Sequence, residues 1–284
     1  MGARDGVFCG AMSDGTRLAA CAVELQGVES FRGGAMTRTA TELAREVPVA
    51  FEYNGISHAV MLATPADLHD FAIGFSFSEG IADPAQCFGV EAREGAAGIT
   101  LAIEIAASAF VRLKERRRTL AGRTGCGICG TESLDQVLRP LPDLSTNRLR
   151  VSPAALDRAY AGLDAAQPLQ RCTGAAHSAV WCGPAGEIAL AREDVGRHNA
   201  LDKLIGALMR GGQRMDEGFA LITSRASVEM VQKSATAGIA LLAAVSAPTA
   251  LAVRVAEACG QTLVGFARGD SFSVYTGAER IGAS

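Results

Sequence analysis

The first three dozen residues show little hydrophobic periodicity, and Gly33-Gly34 lies near their end, so residues 1–37 are expected to form a mobile arm with one strand at most. Order begins near Glu46. Residues 47–53 and 56–63 are apolar, β-rich runs separated by Asn54-Gly55, a pair suited to a type I′ hairpin turn. Thr64-Pro65 then predicts a helix start, with Thr64 as cap, a buried face at 68, 71, 72 and 75, and Gly80 as the stop. Residues 98–106 read as another strand, which closes a small α+β unit assigned to residues 38–120.

A basic run follows, Arg112, Lys114, Arg116, Arg117, Arg118 and Arg123, leading into Gly125-Cys126-Gly127-Ile128-Cys129-Gly130. Thr131-Glu132-Ser133-Leu134 reads as a helix start, and 151–163 is a second helix headed by Ser152-Pro153. Strands are expected at 178–182, 187–191, 219–223, 262–267 and 272–276. Helices are expected at 198–210, 226–245 and 250–258. Strands alternating with helices imply an α/β domain over residues 121–284, with helices on the faces of a sheet.

Half the chain is apolar (49%) and a fifth charged, as a packed globular protein requires. The net charge of −3 supplies no global field for nucleic acid. Residues 235–253 carry no charge, but Pro248 and the hydroxyls of Thr236, Ser246 and Thr249 favour a buried helix, a break and a second helix over a membrane span. No secretory leader is visible at the start, and the eight cysteines are irregularly spaced. Reduced thiols and a cytoplasmic location are the expectation.

Cys126 and Cys129 have the spacing of two thiols that can reach each other, a metal or one substrate atom. Three readings compete. A zinc knuckle would draw further ligands from Cys172, His177 and Cys182, which lack a second close pair. A disulfide exchanger would place the pair after a buried strand, whereas the basic run precedes it. Sulfur relay needs an exposed, activated thiolate, which Arg123 and a following helix start would supply.

Three further segments are candidate sites. Glu193 to Lys203 crowds charged groups around Gly196 at a strand-to-helix junction; it is either a site or a solvated helix start with Asp202 and Lys203 exposed. His198, at the helix opening, is expected to be neutral because the dipole disfavours a proton there. Thr223-Ser224-Arg225-Ala226-Ser227 offers free N–H groups and Arg225 to an anion, or a plain serine cap. Within Phe266, Ala267, Arg268, Gly269, Asp270 and Ser271, Phe266 can stack on a ring, Arg268 can fork onto phosphate or guanine, and Asp270 can accept from a guanine amine. A simple Arg-Gly-Asp turn accounts for the same residues.

Together, Gly-Cys-Gly-Ile-Cys-Gly at 125–130, Thr-Gly-Ala-Ala-His at 173–177, Arg-Glu-Asp-Val-Gly-Arg-His-Asn-Ala-Leu-Asp-Lys at 192–203, Ser-Arg-Ala-Ser at 224–227 and Gly-Phe-Ala-Arg-Gly-Asp at 265–270 resemble the formate dehydrogenase accessory sulfurtransferase family FdhD. The resemblance implies a cytidine-deaminase-like three-layer α/β/α domain beside the smaller N-terminal one. It implies a persulfide carrier loaded by a cysteine desulfurase, Cys126 holding the sulfur and Cys129 supporting it. It further implies transfer to the molybdenum bis(molybdopterin guanine dinucleotide) cofactor, bound as client at 266–271 with Arg225 and His198, for insertion into formate dehydrogenase. A homodimer without a resident metal is expected on that pattern. The competing expectation is a non-catalytic cofactor chaperone whose cysteine pair holds zinc. Deamination is excluded by residue order: zinc deaminases need His-x-Glu and a later Cys-x-x-Cys, whereas His177 is followed by Ser178-Ala179 and the pair precedes it.

Overall fold

The computed structural model describes residues 22–121, 139–268 and 271–282, with the backbone alone for Arg32, 116–121 and Arg268. Strands β1 (Val23–Arg32) and β2 (Ala35–Ala44) form a ten-pair antiparallel ribbon that turns at Gly33-Gly34. The expectation of a mobile arm through residue 37 is therefore corrected for its described part. Leu25 and Phe31 share one face of the ribbon, and that pattern is invisible to a search for long periodic runs.

A second sheet has the order β4-β3-β6-β5, from β3 (Val47–Tyr53), β4 (Ile56–Ala63), β5 (Cys87–Gly95) and β6 (Gly98–Ile105). Asn54 and Gly55 both have positive φ, as the type I′ turn between β3 and β4 demands. β5 was not expected, because its outer half is exposed and polar. One face of the sheet packs Phe51, Leu101 and Ile103 against Phe71 and Phe75 of helix α1 (Leu68–Ser78). The helix starts later than expected. Thr64 does not cap it; Asp67, in the left-handed region, precedes the first turn, and Thr64 is used elsewhere. The basic run falls partly on helix α2 (Ala107–Ala121).

The larger sheet has the order β12-β11-β10-β9-β7-β8, from β7 (His177–Cys182), β8 (Ile188–Asp194), β9 (Phe219–Ile222), β10 (Leu241–Ala244), β11 (Thr262–Arg268) and β12 (Ser271–Thr276). Alternation along its strands divides two cores. Ala179, Trp181, Ala220, Ile222, Leu242 and Leu263 meet α5 (Arg197–Arg210), α6 (Val228–Thr236) and α7 (Ala250–Ala258). Val180, Leu221, Ala243 and Val264 meet α3 (Pro153–Gly162), whose cap is Ser152. The short α4 (Pro168–Thr173) holds the base of the ribbon through Leu169, Ala22 and Ala66. The result is the expected three-layer α/β/α arrangement beside a smaller α+β unit.

The single helix expected over 226–245 is instead α6 followed by β10. Gly238, at φ 84, ends the helix, and the next residues form a central strand buried on both faces. Such a strand reads as a continuous apolar run and cannot be told from a buried helix by period. The helix start proposed at 131–134 lies outside the described residues.

Candidate functional site at the carboxyl edge of the large sheet

Strands β9, β10 and β11 run parallel, while β7 runs against β9 and β8 against β7. One edge of the sheet therefore collects the carboxyl ends of β8 to β11 and the start of β7. Open α/β sheets bind ligands at this edge. Among the described residues it holds His177, Gly196 to His198, Thr223 to Ser227, Ser246 to Thr249, Phe266 to Arg268 and Ser271.

Backbone bonds stitch these loops into one surface. Thr223 N donates to Ser178 O at 3.0 Å, Thr249 N to Ala226 O at 3.0 Å, and Phe266 N to Ser246 O at 3.2 Å. The ladder between β11 and β12 is irregular between Gly265 and Arg268, and Phe266 takes φ 54. A non-glycine residue in that region is strained and marks a local demand. Gly265 permits it, since a Cβ there would come within 2.8 Å of Pro248 Cδ and 3.0 Å of Tyr275 Cε2. Phe266 is consequently 40% exposed, whereas Ala267 turns its methyl into the core. Ser271 is exposed at the start of β12. Gly269, Asp270 and the side chain of Arg268 lie outside the described residues, as do Cys126 and Cys129.

Arg225 is exposed at the approach to α6. Ser227 occupies the cap position of that helix, but its side chain makes no capping bond. Ser224 Oγ donates to Arg225 O at 3.1 Å. Three residues of the edge candidates, His198, Arg225 and Phe266, thus share one rim.

Beneath His198 the charges are buried, not solvated. Asp194 and Lys203 are fully buried and 2.6 Å apart. Asp194 also accepts from Thr64 N at 3.0 Å, Gly196 N at 2.8 Å and Asn199 Nδ2 at 2.9 Å. Thr64 Oγ1 accepts from Val195 N at 3.2 Å, and Lys203 Nζ donates to Thr64 O at 2.9 Å. The loop that delivers Arg197 and His198 is therefore locked to the small sheet. Both Asp202 and Lys203, exposed in the solvated-helix reading, are in fact interior.

A second polar seam lies between α5 and α6. Lys233 Nζ donates at 2.8 Å to both oxygens of Asp202 and to Glu79 Oε1, and at 3.0 Å to Ser78 Oγ. Burial would lower the Lys233 pKa, but Asp202 and Glu79 outweigh it and raise it. Burial likewise pushes the Glu79 carboxyl up, yet Lys233 and Arg139 overcome this and hold it at about 2. Arg139, which follows the segment bearing the two cysteines, donates to Ser78 O at 2.9 Å and to Glu79 Oε2. The root of that segment is thereby pinned beside α6. Sequence reasoning missed this group because Glu79, Arg139 and Lys233 are far apart along the chain.

His198 is neutral as expected, though chiefly for another reason. Burial, then the cations Arg197 and Lys233, push its imidazole down to about 4. Its Nε2 is buried and has no hydrogen-bond partner among the described residues. His177 is lowered by burial and by Arg197.

The zinc ligands considered from sequence do not converge. His177 and Cys182 stand at opposite ends of β7, about 17 Å apart at strand rise. Cys182 is sealed in the core, where burial pushes its thiol up to about 12, while Cys172 is exposed on α4. Among the described residues no group of His, Cys, Asp and Glu is arranged to hold a metal. No helix among them is long and apolar enough to cross a membrane.

Residues 44–282 match the model of the FdhD/NarQ family. The chain is 56% identical over 235 residues to a sulfur carrier protein FdhD of Variovorax paradoxus, covering 82% of this chain and 84% of that one. It is 54% identical over 256 residues to the sulfur carrier protein FdhD of Cupriavidus necator, covering 89% and 88%. Its fold is similar to the crystal structure of a Desulfotalea psychrophila protein ascribed to formate dehydrogenase accessory function. There the TM-score is 0.71 at 23% identity, over 92% of this chain and 99% of the other.

Proposed function

Because the chain belongs to the FdhD/NarQ family, we propose that it is a sulfur carrier serving formate dehydrogenase, in which Cys126 carries sulfur as a persulfide to a molybdenum guanine-dinucleotide cofactor docked at the carboxyl edge. The observation that carries the reading is the outward, left-handed Phe266 on the same rim as exposed Arg225 and neutral His198. Backbone strain retained on a surface loop is accounted for by presenting an aromatic face to a planar ligand. Arg225 then meets phosphate, and the 266–271 turn meets the guanine.

The sulfur chemistry balances with thiols alone. The Cys126 thiolate attacks the terminal sulfur of a desulfurase persulfide; the new S–S bond forms on Cys126, and the desulfurase cysteine leaves as thiolate. Delivery follows when the Cys129 thiolate attacks Sγ of Cys126 and expels the terminal sulfur as hydrosulfide toward the docked cofactor. The resulting Cys126–Cys129 disulfide is returned to two thiols by a dithiol reductant. Low thiol pKa and open access favour the first step, which glycines at 125, 127 and 130 and the neighbouring Arg123 support.

Intact-mass measurement after incubation with a cysteine desulfurase and cysteine tests the claim. An added sulfur atom mapped to Cys126, absent from Cys126→Ala, is expected, together with loss of formate dehydrogenase activation. An unmodified protein, or an active Cys126→Ala variant, refutes it. Stoichiometric zinc lost on Cys126→Ala would instead favour a cofactor chaperone.

A further inference from the structure

Among the described residues the β1–β2 ribbon packs on the body through its base, where Val23 and Ala44 meet Ala66, Leu169 and Ala176. The rest stands free. A two-stranded hairpin alone is marginal in water, and this one leaves Leu25 and Phe31 71% exposed and Met36 59% exposed. Leu25, Gly27, Glu29 and Phe31 lie on one face, directly across from Glu42, Ala40, Arg38 and Met36. The reverse face is polar, with Ser30 Oγ 3.2 Å from Thr39 Oγ1. Two features of the apolar face have no use within one chain. Glu29 and Arg38 stand opposite each other, both exposed, yet make no ion pair among the described residues. Gly27 is outside the left-handed region, and a Cβ on it would meet nothing within 4 Å. Glycine inside a strand weakens it and marks a place where another backbone comes close.

We propose that this face is an interface with a second copy of the chain, the two ribbons stacking face to face about a two-fold axis parallel to their length. Such an axis lays β1 of one copy over β2 of the other, so each residue meets the second copy's version of its own cross-strand neighbour. Phe31 then packs on Met36 of the second copy, a favourable contact of sulfur with an aromatic ring. Glu29 meets Arg38 of the second copy, and the pair recurs by symmetry. Gly27 meets Ala40, which forms a narrow waist between the larger side chains. A surface of one charge sign would leave either Glu29 or Arg38 unmatched, whereas a second copy answers both. The assignment does not rest on the function proposed above.

Sedimentation equilibrium of the full chain over a range of concentrations tests it. The wild type should dimerise. Arg38→Glu sets like charges opposite one another at two symmetric points and should raise the dissociation constant about 100-fold. Combining it with Glu29→Arg restores the match and should return the constant to near the wild-type value. Gly27→Val should weaken the dimer about 10-fold by overpacking the waist. The melting temperature of the dilute monomer should stay equal or rise, because valine favours a strand and has open space there. A defect in the ribbon's own folding would instead lower both readouts together. A monomeric wild type, a dimer that none of these changes weakens, or an Arg38→Glu defect that the double reversal fails to repair overturns the proposal. In a monomer, hydrogen-exchange protection of β1–β2 that disappears on removing residues 1–21 would assign the face to that segment instead.

Discussion

Replacing Gly206 by alanine should destabilise the protein, although alanine is the better helix former. Gly206 lies where α5 crosses α1, and a Cβ there would sit 1.9 Å from Asp70 O and 2.8 Å from Gly74 N. Carbon and carbonyl oxygen approach to about 3.3 Å, so the helices must part by about 1.4 Å. Both obstructions are backbone and cannot rotate away. Overpacking of this kind costs up to about 3 kcal/mol, and helix propensity returns about 1 kcal/mol. About 2 kcal/mol of destabilisation remains, before any loosening of Ser78 and Glu79 from Lys233, which the same crossing holds together. Urea unfolding should show a lower midpoint at unchanged slope, and heating a drop of roughly 4–8 °C. Gly162→Ala is the control, since its Cβ would meet only the movable Ile188 Cδ1 at 3.1 Å. A Gly206→Ala protein as stable as the wild type would refute the close crossing.

Further tests concern the buried charges. Asp194→Asn leaves Lys203 buried without its counter-charge and should cost about 3–5 kcal/mol in urea unfolding; an unchanged midpoint would contradict the pair. The Glu79 carboxylate is held at about 2, below its ordinary value, so its stabilisation is present above pH ~4.5 and is lost as pH falls toward 2. Glu79→Gln should flatten the acid limb of a stability–pH curve; an identical limb would count against Lys233 and Arg139 as its partners. The His198 imidazole is held down at about 4, so the folded state resists protonation: stability is full above pH ~6.5 and declines as pH falls toward 4. NMR titration should find His198 still neutral at pH 6, and a midpoint near 6.5 would show that burial does not govern it.

Much of the secondary structure was legible along the chain. The β3–β4 hairpin follows from Asn54-Gly55, α3 from Ser152-Pro153 and α7 from the break at Pro248, because turn chemistry, capping and chain breaks act within a few residues. Where local signals were ambiguous the reading failed. Leu241 to Ala244 is a strand because both its faces are covered, and Thr64 leaves its helix because Asp194 and Val195 claim its polar groups.

The candidate residues at the sheet edge were written in the sequence as short motifs. Their common location was not: the order and direction of the strands in the large sheet bring Arg197, His198, Arg225 and Phe266 to one edge. Whether a charge is solvated or interior also belongs to tertiary structure. Asp202 and Lys203 have the spacing of an exposed helix start, and become buried because Gly74 and Gly206 let α1 lie directly on α5, while Lys233 and Asp194 supply the opposite charges. Local physics selects the elements; burial and partner charges arise only when distant segments meet.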